Sequence, residues 1–330
     1  MKKTKITKWA ALALAASVTL SLAACGGNGG SAPEGTSGGG AASQQVGGDQ
    51  AGTSGESGGA KELVVATVSA AGSLDPAEVA IDMWTEYAKL CVDPLIRFDE
   101  SGNVIYEAAE SYESSDDGLV WTFHLRQDAK WSDGSSVVAD DFINTLHRAL
   151  DPNNGDSIYG DMLYGIVGAR EAREARENGG SMDDVMVKAL DDYTLEFTLT
   201  EPCGYFLKLL TIAPFYPSKS GVVTLENTNW YKDGATSLGN GPFCLKEFVD
   251  GQYYLVEKNP YYFAADQVKL DSIRVEFIDD AQALLSSYQT GEVDVVTGLP
   301  SYVKEQYQDS DDYIASTSYV AEYMLSNNSD

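Results

Sequence analysis

One short segment of the sequence carries side chains that could do chemistry. Residues 128–142 read DAKWSDGSSVVADDF and contain four aspartates, one lysine and one tryptophan. Paired carboxylates act as acid and base in glycoside hydrolysis, and carboxylate oxygens are preferred ligands of calcium and magnesium ions. Asp133, Asp140 and Asp141 could therefore form a catalytic or metal-binding site. The alternative is that they stabilise a turn and the start of a helix.

The surrounding pattern favours the structural alternative. Asp133 precedes a glycine, a pair that is typical of a turn because glycine tolerates left-handed backbone conformations. Apolar residues then recur every four positions, at Phe142, Leu146 and Leu150. Asp140 and Asp141 fall in the first turn of this predicted helix, where a carboxylate meets free N–H groups and stabilises by about 0.3–1 kcal/mol. Val138 offers no side-chain cap, and Trp131 is expected to be exposed.

The rest of the sequence contains few residues that could form a catalytic site. His124 and His147 are the only histidines, and a Ser-His-Asp triad needs a positioned histidine. No GxSxG, HExxH or Walker sequence occurs in the part of the chain predicted to fold, after residue 60. Cys91, Cys203 and Cys244 allow one disulfide, but their spacing does not say which pair would form it. We therefore expect no catalysis, no metal site and no cofactor.

The N-terminus has the pattern of an export signal. Residues 1–8 carry four lysines, residues 9–24 are apolar and small, and Leu-Ala-Ala-Cys stands at 22–25. This motif resembles the lipobox of bacterial lipoproteins. The resemblance implies that residues 1–24 are a signal peptide and that Cys25 is lipidated, whereas the alternative is an ordinary signal peptide with a chance cysteine.

A flexible tether is predicted next, at residues 25–60. Residues 26–60 hold 14 of the 32 glycines and no aromatic residue, so they cannot bury enough apolar surface to fold. Such a chain spans roughly 30–35 Å. Lipid and tether would hold a globular body, starting near Lys61, at the outer face of the cytoplasmic membrane. The style of the tether favours a Gram-positive bacterium.

The net charge excludes two classes of partner. The chain carries a formal charge of −28, and removing the four lysines of the signal peptide lowers it to −32. Nucleic-acid binding and electrostatic adhesion to anionic lipid both need a basic surface. We expect no nucleic acid as partner, and contact with the membrane through the lipid alone.

Hydrophobic periodicity predicts both strands and helices. Alternating or β-branched runs predict strands at 62–69, 120–126, 193–199, 243–248, 253–258 and 273–278. Helical spacing occurs at 81–90, 138–150, 203–210 and 279–288. Because the two kinds of element do not alternate regularly, the pattern favours α+β or mixed-sheet α/β architecture.

Motifs of one family occur in order along the chain. They are SLDP at 73–76, DPLIRFDESGN at 93–103, the segment 108–142, SLGNGPFCLKEFVDGQYYLVEKNPYYF at 237–263 and KLDSIRVEFIDDAQALLSSYQTGEVDVVTGLP at 269–300. Together they resemble the extracytoplasmic solute-binding proteins of peptide and nickel ABC importers, called family 5. The sequence departs from the family pattern at Tyr112, where tryptophan is usual, and at Val138 and Asn240, where threonine is usual.

The resemblance implies an α/β mixed-sheet fold with two lobes, the type II clamshell of periplasmic binding proteins. Lobe I would comprise residues 61–92 and 190–272, and an extra subdomain would span 93–189. Residues 273–330 would form the first part of lobe II. Family members are usually much longer. The second lobe is therefore expected to be incomplete, in a chain truncated at its C-terminus.

The resemblance also implies a ligand site between the lobes, which closes by hinge motion. The candidate ligand-binding residues are Asp82, Met83, Trp84, Asn240, Gly241 and Leu299. Trp84 could equally be a core residue, and Asn240-Gly241 could be a plain turn before a strand.

The predicted function is that of a monomeric, membrane-tethered protein that captures oligopeptides and delivers them to the permease subunits of an ABC importer. The alternative is a lipid-anchored surface hydrolase acting on envelope or carbohydrate polymers. Relatives also carry nickel chelates, haem and oligosaccharides, so the identity and length of the ligand stay open.

Overall fold

The structure is a computed structural model that describes residues 61–68, 73–78, 87–99, 101–154, 157, 159–174, 181–227, 229–232, 234 and 236–314. The strands are β1 (Glu62–Thr67), β2 (Ile96–Phe98), β3 (Val104–Tyr106), β4 (Ala109–Ser114), β5 (Val120–Leu125), β6 (Val187–Asp191), β7 (Thr194–Thr198), β8 (Phe243–Val249), β9 (Tyr253–Lys258), β10 (Ser272–Phe277) and β11 (Val295–Thr297). The α-helices are α1 (Ala139–Leu150), α2 (Ala169–Glu174), α3 (Phe206–Leu209), α4 (Ala281–Thr290) and α5 (Ser301–Tyr307), and residues 87–91 are also helical.

The larger sheet has five strands in the order β11-β1-β10-β9-β8. Strand β1 runs parallel to both β10 and β11, whereas β9 is antiparallel to its two neighbours. A tight turn at Gly251, with φ of 67°, joins β8 to β9. The sheet is therefore mixed, as the sequence predicted. Its apolar residues form a core, here called the large-sheet core, that includes Leu74, Tyr87, Val92, Trp230, Leu245, Tyr254, Val256 and Val275.

The smaller sheet is antiparallel, with the order β4-β5-β7-β6. Its inward positions alternate as predicted, so that Phe123 and Leu125 of β5 face the same core as Leu195 and Phe197 of β7. Helix α1 adds its predicted apolar stripe to this small-sheet core, which includes Leu95, Phe123, Leu125, Trp131, Phe142, Leu146, Leu150 and Phe197. A separate hairpin of β2 and β3 completes the strands that the structure describes.

The acidic segment at residues 128–142 has a structural role. Asp141 is fully buried, and its Oδ2 accepts hydrogen bonds from Trp131 Nε1 at 2.8 Å and from the Val138 N–H at 3.0 Å. Its Oδ1 accepts from the Ser220 N–H at 2.8 Å. The expected exposure of Trp131 is wrong: only 1% of the residue is exposed, because its ring fills the small-sheet core and its N–H finds an acceptor in Asp141.

A second buried carboxylate fastens the other end of α1. Arg148, in the last turn of the helix, donates from Nη1 to Asp75 Oδ1 at 3.0 Å and from Nη2 to Asp75 Oδ2. Asp75 also accepts from Trp230 Nε1 at 2.8 Å and from the Ala77 N–H at 2.9 Å. The predicted turn after β1, the helix and the large-sheet core therefore meet at one carboxylate.

Two predicted domain boundaries do not follow the sheets. The described residues belong to one compact unit, Ser57–Asp330. A boundary after residue 189 would cut β6 within its pairing to β7, and one after 272 would cut β10, which pairs with both β1 and β9. Hydrogen-bonded strands therefore span both positions. The division into lobes stays a prediction.

The predicted signal peptide at 1–24 and tether at 25–60 lie outside the described residues. Within the described part, no helix has the length and apolarity to cross a membrane. Cys91, Cys203 and Cys244 are free thiols, so the one disulfide that the sequence allows is not formed among them.

Replacing Asp141 by asparagine should lower the free energy of unfolding by about 1–3 kcal/mol, because an NH₂ group would then face buried N–H donors. Urea unfolding monitored by circular dichroism measures this change. Asp140→Asn is the matched control, since Asp140 is the exposed neighbour in the same helical turn and should change stability by about 0.5 kcal/mol or less. Equal effects of the two substitutions would contradict the assignment.

Candidate functional site

The three parallel strands end at one edge of the larger sheet. Their last residues are Thr67 of β1, Phe277 of β10 and Thr297 of β11. In open sheets with parallel strands, ligands bind in the crevice outside the carboxyl ends, where the connections diverge to the two sides of a strand. Strand β1 lies between β10 and β11, so this condition is met beside β1. We call residues 67–68, 278–280 and 297–300 the carboxyl edge.

Helix α4 connects two of these strands and has clear local signals. Asp280 is its N-cap, and its Oδ1 accepts from the N–H groups of Gln282 at 3.0 Å and Ala283 at 2.8 Å. Gly291, with φ of 76°, ends the helix in the left-handed conformation that favours glycine. Asp294 then joins the chain to β1, because its N–H donates to the Val64 carbonyl and its carboxylate accepts from the Val64 N–H.

The loop that leaves β11 lies directly against the end of β1. Gly298 has φ of +71°, and a Cβ there would stand 2.9 Å from Val68 Cγ2 and 3.3 Å from Thr67 Oγ1. Only glycine fits both the backbone conformation and this close approach. The two loops that leave β1 and β11 are therefore held together at the carboxyl edge.

One polar atom at this edge is unsatisfied. Thr297 Oγ1 is buried and has no hydrogen-bond partner among the described residues. Buried hydroxyls usually have a partner, so each exception asks for an explanation. A ligand group arriving at the carboxyl edge would supply one. No sequence pattern marks Thr297, because its burial depends on the neighbouring strand.

The structure places one predicted ligand-binding residue at this edge. Leu299 is half-buried and packs against the small apolar cluster of Ala66, Leu284 and Val293. Asp82, Met83 and Trp84 lie outside the described residues. They follow β1 in the chain, and their place in the site stays a prediction.

Asn240 and Gly241 lie elsewhere and have structural partners. The Asn240 side chain accepts from the Asp93 N–H at 2.9 Å and donates to the Asp93 carbonyl at 3.1 Å, and the residue is buried. The Gly241 N–H donates to the Cys91 carbonyl, and a Cβ on Gly241 would stand 2.8 Å from the Cys91 carbonyl carbon and 2.9 Å from the Val92 nitrogen. The close approach is to protein backbone, which favours the turn interpretation over the ligand contact.

A buried group of charges lies beside this turn and was missed from the sequence. Asp93 is only 1% exposed and accepts from Arg97 Nη2 at 2.8 Å, while Arg97 Nε lies 3.7 Å from Glu107 Oε1. Burial and the negative charge of Glu107 raise the pKa of Asp93 to about 7. The only signal in the sequence is a charged residue at each end of the apolar run in DPLIR.

The histidines do not assemble into a catalytic site. His124 Nε2 lies 3.1 Å from Glu113 Oε1 on the solvent face of the smaller sheet, where both side chains are open to water. Burial lowers the pKa of His147, and its Nε2 has no partner in the part of the chain that the structure describes. That part also contains no group of three or more histidine, cysteine or acidic side chains arranged to hold a metal ion.

Comparisons with known proteins agree on one family. The sequence profile described as "Bacterial extracellular solute-binding proteins, family 5 Middle" matches residues 103–330. The periplasmic oligopeptide-binding protein OppA of Escherichia coli K12 is 33% identical over 224 residues, which cover 68% of this chain and 40% of that protein. The dipeptide-binding protein DppE of Bacillus subtilis 168 is 33% identical over 264 residues, which cover 80% of this chain and 47% of that protein.

A solved structure has the same fold. Listeria monocytogenes OppA bound to peptide superposes with a TM-score of 0.69 and 29% identity, over 78% of this chain and 50% of that one. The present chain spans less than half the length of the two curated relatives named above.

Gly241→Ala should lower the free energy of unfolding by about 1–3 kcal/mol, because the added methyl would overlap the peptide between Cys91 and Val92. Chemical denaturation measures the loss. Gly204→Ala is the control, since a Cβ at Gly204 meets open space. Unchanged stability of Gly241→Ala together with lost peptide affinity would instead restore the ligand-contact interpretation.

Proposed function

The chain belongs to family 5 of the bacterial extracellular solute-binding proteins, and we propose that it captures oligopeptides outside the cytoplasmic membrane for an ABC importer. The predicted family and the mixed α/β fold class are confirmed. The peptide ligand, the permease partner and the membrane tether are parts of the proposal.

The observation that carries the proposal is the likeness to a peptide-loaded relative. Listeria monocytogenes OppA bound to peptide shares the fold over 78% of this chain, and the named curated relatives are an oligopeptide-binding and a dipeptide-binding protein. The carboxyl edge supports the same conclusion, because parallel strands end there on both sides of β1, the position at which such sheets bind ligands.

At this edge we propose a ligand contact for Leu299 through apolar surface and for Thr297 through its hydroxyl. Asp82, Met83 and Trp84 would contribute from the segment that follows β1. A peptide offers amide groups along its whole length, so hydrogen bonds to its main chain give affinity without selecting a sequence. We therefore propose a site that accepts peptides of varied sequence.

Binding without catalysis is the simpler proposal. The relatives named above are described as binding proteins, and two of the three acids that first suggested a hydrolase have structural partners. Asp141 is enclosed by three N–H donors, and Asp133 accepts from the Ser135 N–H at 2.8 Å within its own turn. A lipid-anchored surface hydrolase remains the alternative that an activity assay would test.

The N-terminal sequence supports the proposed location. A basic start, an apolar run and Leu-Ala-Ala-Cys in that order favour removal of residues 1–24 and lipidation of Cys25. The glycine-rich tether would then let a monomeric body turn freely at the outer face of the cytoplasmic membrane. Its strongly acidic composition leaves the lipid as the only means of attachment.

Purified protein should release a mixture of short peptides when it is gently denatured, and mass spectrometry of the released material identifies them. Synthetic peptides of unrelated sequence should then bind with similar dissociation constants in isothermal titration calorimetry. Release of a metal chelate, haem or an oligosaccharide would contradict the proposed ligand. Turnover of an envelope or carbohydrate polymer would contradict the proposed absence of catalysis.

Cys25→Ser should move the protein from the membrane fraction to the soluble fraction, because the acyl chains that hold it would be missing. Immunoblots of fractionated cells, with metabolic labelling by a palmitate analogue, measure both effects. Cys203→Ser is the control, since Cys203 is a half-exposed free thiol of the folded body and its loss should leave the protein on the membrane. Membrane retention of the Cys25→Ser protein would contradict the anchor.

A further inference from the structure

A buried group of polar side chains lies where the chain passes from one core to the other. Val92 belongs to the large-sheet core and Leu95 to the small-sheet core, so residues 93 and 94 form the crossing. We call Asp93, Arg97, Glu107, Tyr216 and Tyr262 the junction cluster. The proposed peptide site does not use it.

The backbone at this crossing is tightly held. Asn240 pairs with both the N–H and the carbonyl of Asp93, and the Gly241 N–H bonds to the Cys91 carbonyl. Nearby, the Ser132 N–H donates to the Gly239 carbonyl at 2.8 Å. The Asp93 backbone is therefore fixed at the crossing, and the residue is only 1% exposed.

The Asp93 carboxylate is incompletely bonded inside this cage. Its Oδ1 accepts from Arg97 Nη2 at 2.8 Å and the Tyr262 hydroxyl interacts with the carboxylate, whereas no hydrogen bond of normal geometry from the described residues reaches the buried Oδ2. An ionised oxygen that is buried without a donor is costly. A proton on this carboxylate would remove that cost.

Glu107 adds a second reason for a proton to bind. Its side chain is only 14% exposed and shares Arg97 with Asp93, at 3.7 Å from Arg97 Nε. One guanidinium therefore faces two carboxylates. When like charges are held close in a buried place, one of them is disfavoured in its ionised form.

Three groups favour the ionised form of Asp93 and so lower its pKa, and one of them, Arg126, is already paired with another carboxylate. Arg97 is the strongest of them, followed by the Tyr262 hydroxyl and by Arg126. Arg126 is itself paired with Asp128 at 3.0 Å and stacks on Phe263 at 3.8 Å.

The two tyrosines of the cluster stay protonated. Burial raises the pKa of Tyr216 to about 12, and burial together with the negative charges of Asp93 and Glu107 raises that of Tyr262. Burial also raises the pKa of Glu107, so the two carboxylates are the groups of the cluster that bind a proton more readily than free acids do.

We propose that Asp93 and Glu107 form a proton-binding pair that holds one proton near neutral pH, and that its release weakens the junction between the two cores. The direction in which stability changes with pH follows from the direction of the pKa shift of Asp93. Burial and the charge of Glu107 raise the pKa of Asp93 from 3.8 to about 7, so the folded chain binds the proton more tightly than the unfolded chain. The contribution to stability is complete below about pH 4 and is lost as the pH rises through about 7.

Two measurements on the full chain test this proposal. In protein labelled with ¹³C at aspartate carboxyl carbons, one resonance should titrate with a midpoint near 7 and should be missing from Asp93→Asn. In thermal unfolding between pH 5 and pH 8, the unchanged protein should lose melting temperature as pH rises, relative to Asp93→Asn. Asp116→Asn, at an exposed aspartate in the turn between β4 and β5, is the control and should keep the slope of the unchanged protein.

The outcomes separate a proton site from a merely structural acid. Glu107→Gln should shift the midpoint of the Asp93 resonance towards 3.8, because the neighbouring negative charge is removed. This variant and the titration of the unchanged protein keep the test valid if Asp93→Asn fails to fold. A resonance of Asp93 that titrates near 3.8 in the unchanged protein, or equal pH slopes for all variants, would overturn the proposal.

Discussion

The buried ion pair between Asp75 and Arg148 is the contact on which the arrangement of the chain depends. The Asp75 side chain is fully buried and that of Arg148 is 5% exposed. Removing two charges from water costs several kcal/mol for each ion, and only excellent geometry with further hydrogen bonds offsets that cost. Asp75 meets the condition, because it accepts from both terminal nitrogens of Arg148, from the Trp230 indole and from the Ala77 N–H. The donors come from three places in the chain: helix α1, the segment at Trp230 and the turn that contains Asp75 itself.

This pair also determines which parts of the chain helix α1 connects. The helix carries a buried acid, Asp141, in its first turn and a buried base, Arg148, in its last turn, the order that the helix dipole favours. Asp141 binds the turn of Trp131 and the loop at Ser220, whereas Arg148 binds the segment after β1. The helix thus joins the small-sheet core to the large-sheet core. It also fixes the segment at Asp75, which follows β1 in the chain.

The elements that the sequence predicted are those with local signals. Period-two alternation predicted β5 and β7, four-residue spacing predicted α1, and helical spacing predicted α4. The burial of Trp131, the role of Asn240 and the membership of β10 in the larger sheet were not predicted. Each depends on a partner from another part of the fold: Asn240 meets Asp93 across 147 positions, and β10 pairs with β1 across 210. For the candidate site, the sequence named Leu299 but not Thr297, whose burial only the assembled edge creates.

Asp75 and Arg148 act as one unit that holds the two cores together, and a double-mutant cycle tests this most directly. The free energy of unfolding would be measured for the unchanged protein, Arg148→Met, Asp75→Asn and the double variant. Arg148→Met should cost about 3–5 kcal/mol, because it leaves Asp75 buried and unpaired. The double variant should be more stable than the sum of the single losses predicts, by about 1.5 kcal/mol or more. Losses that add within about 0.5 kcal/mol would show that the two residues act independently and would contradict the account.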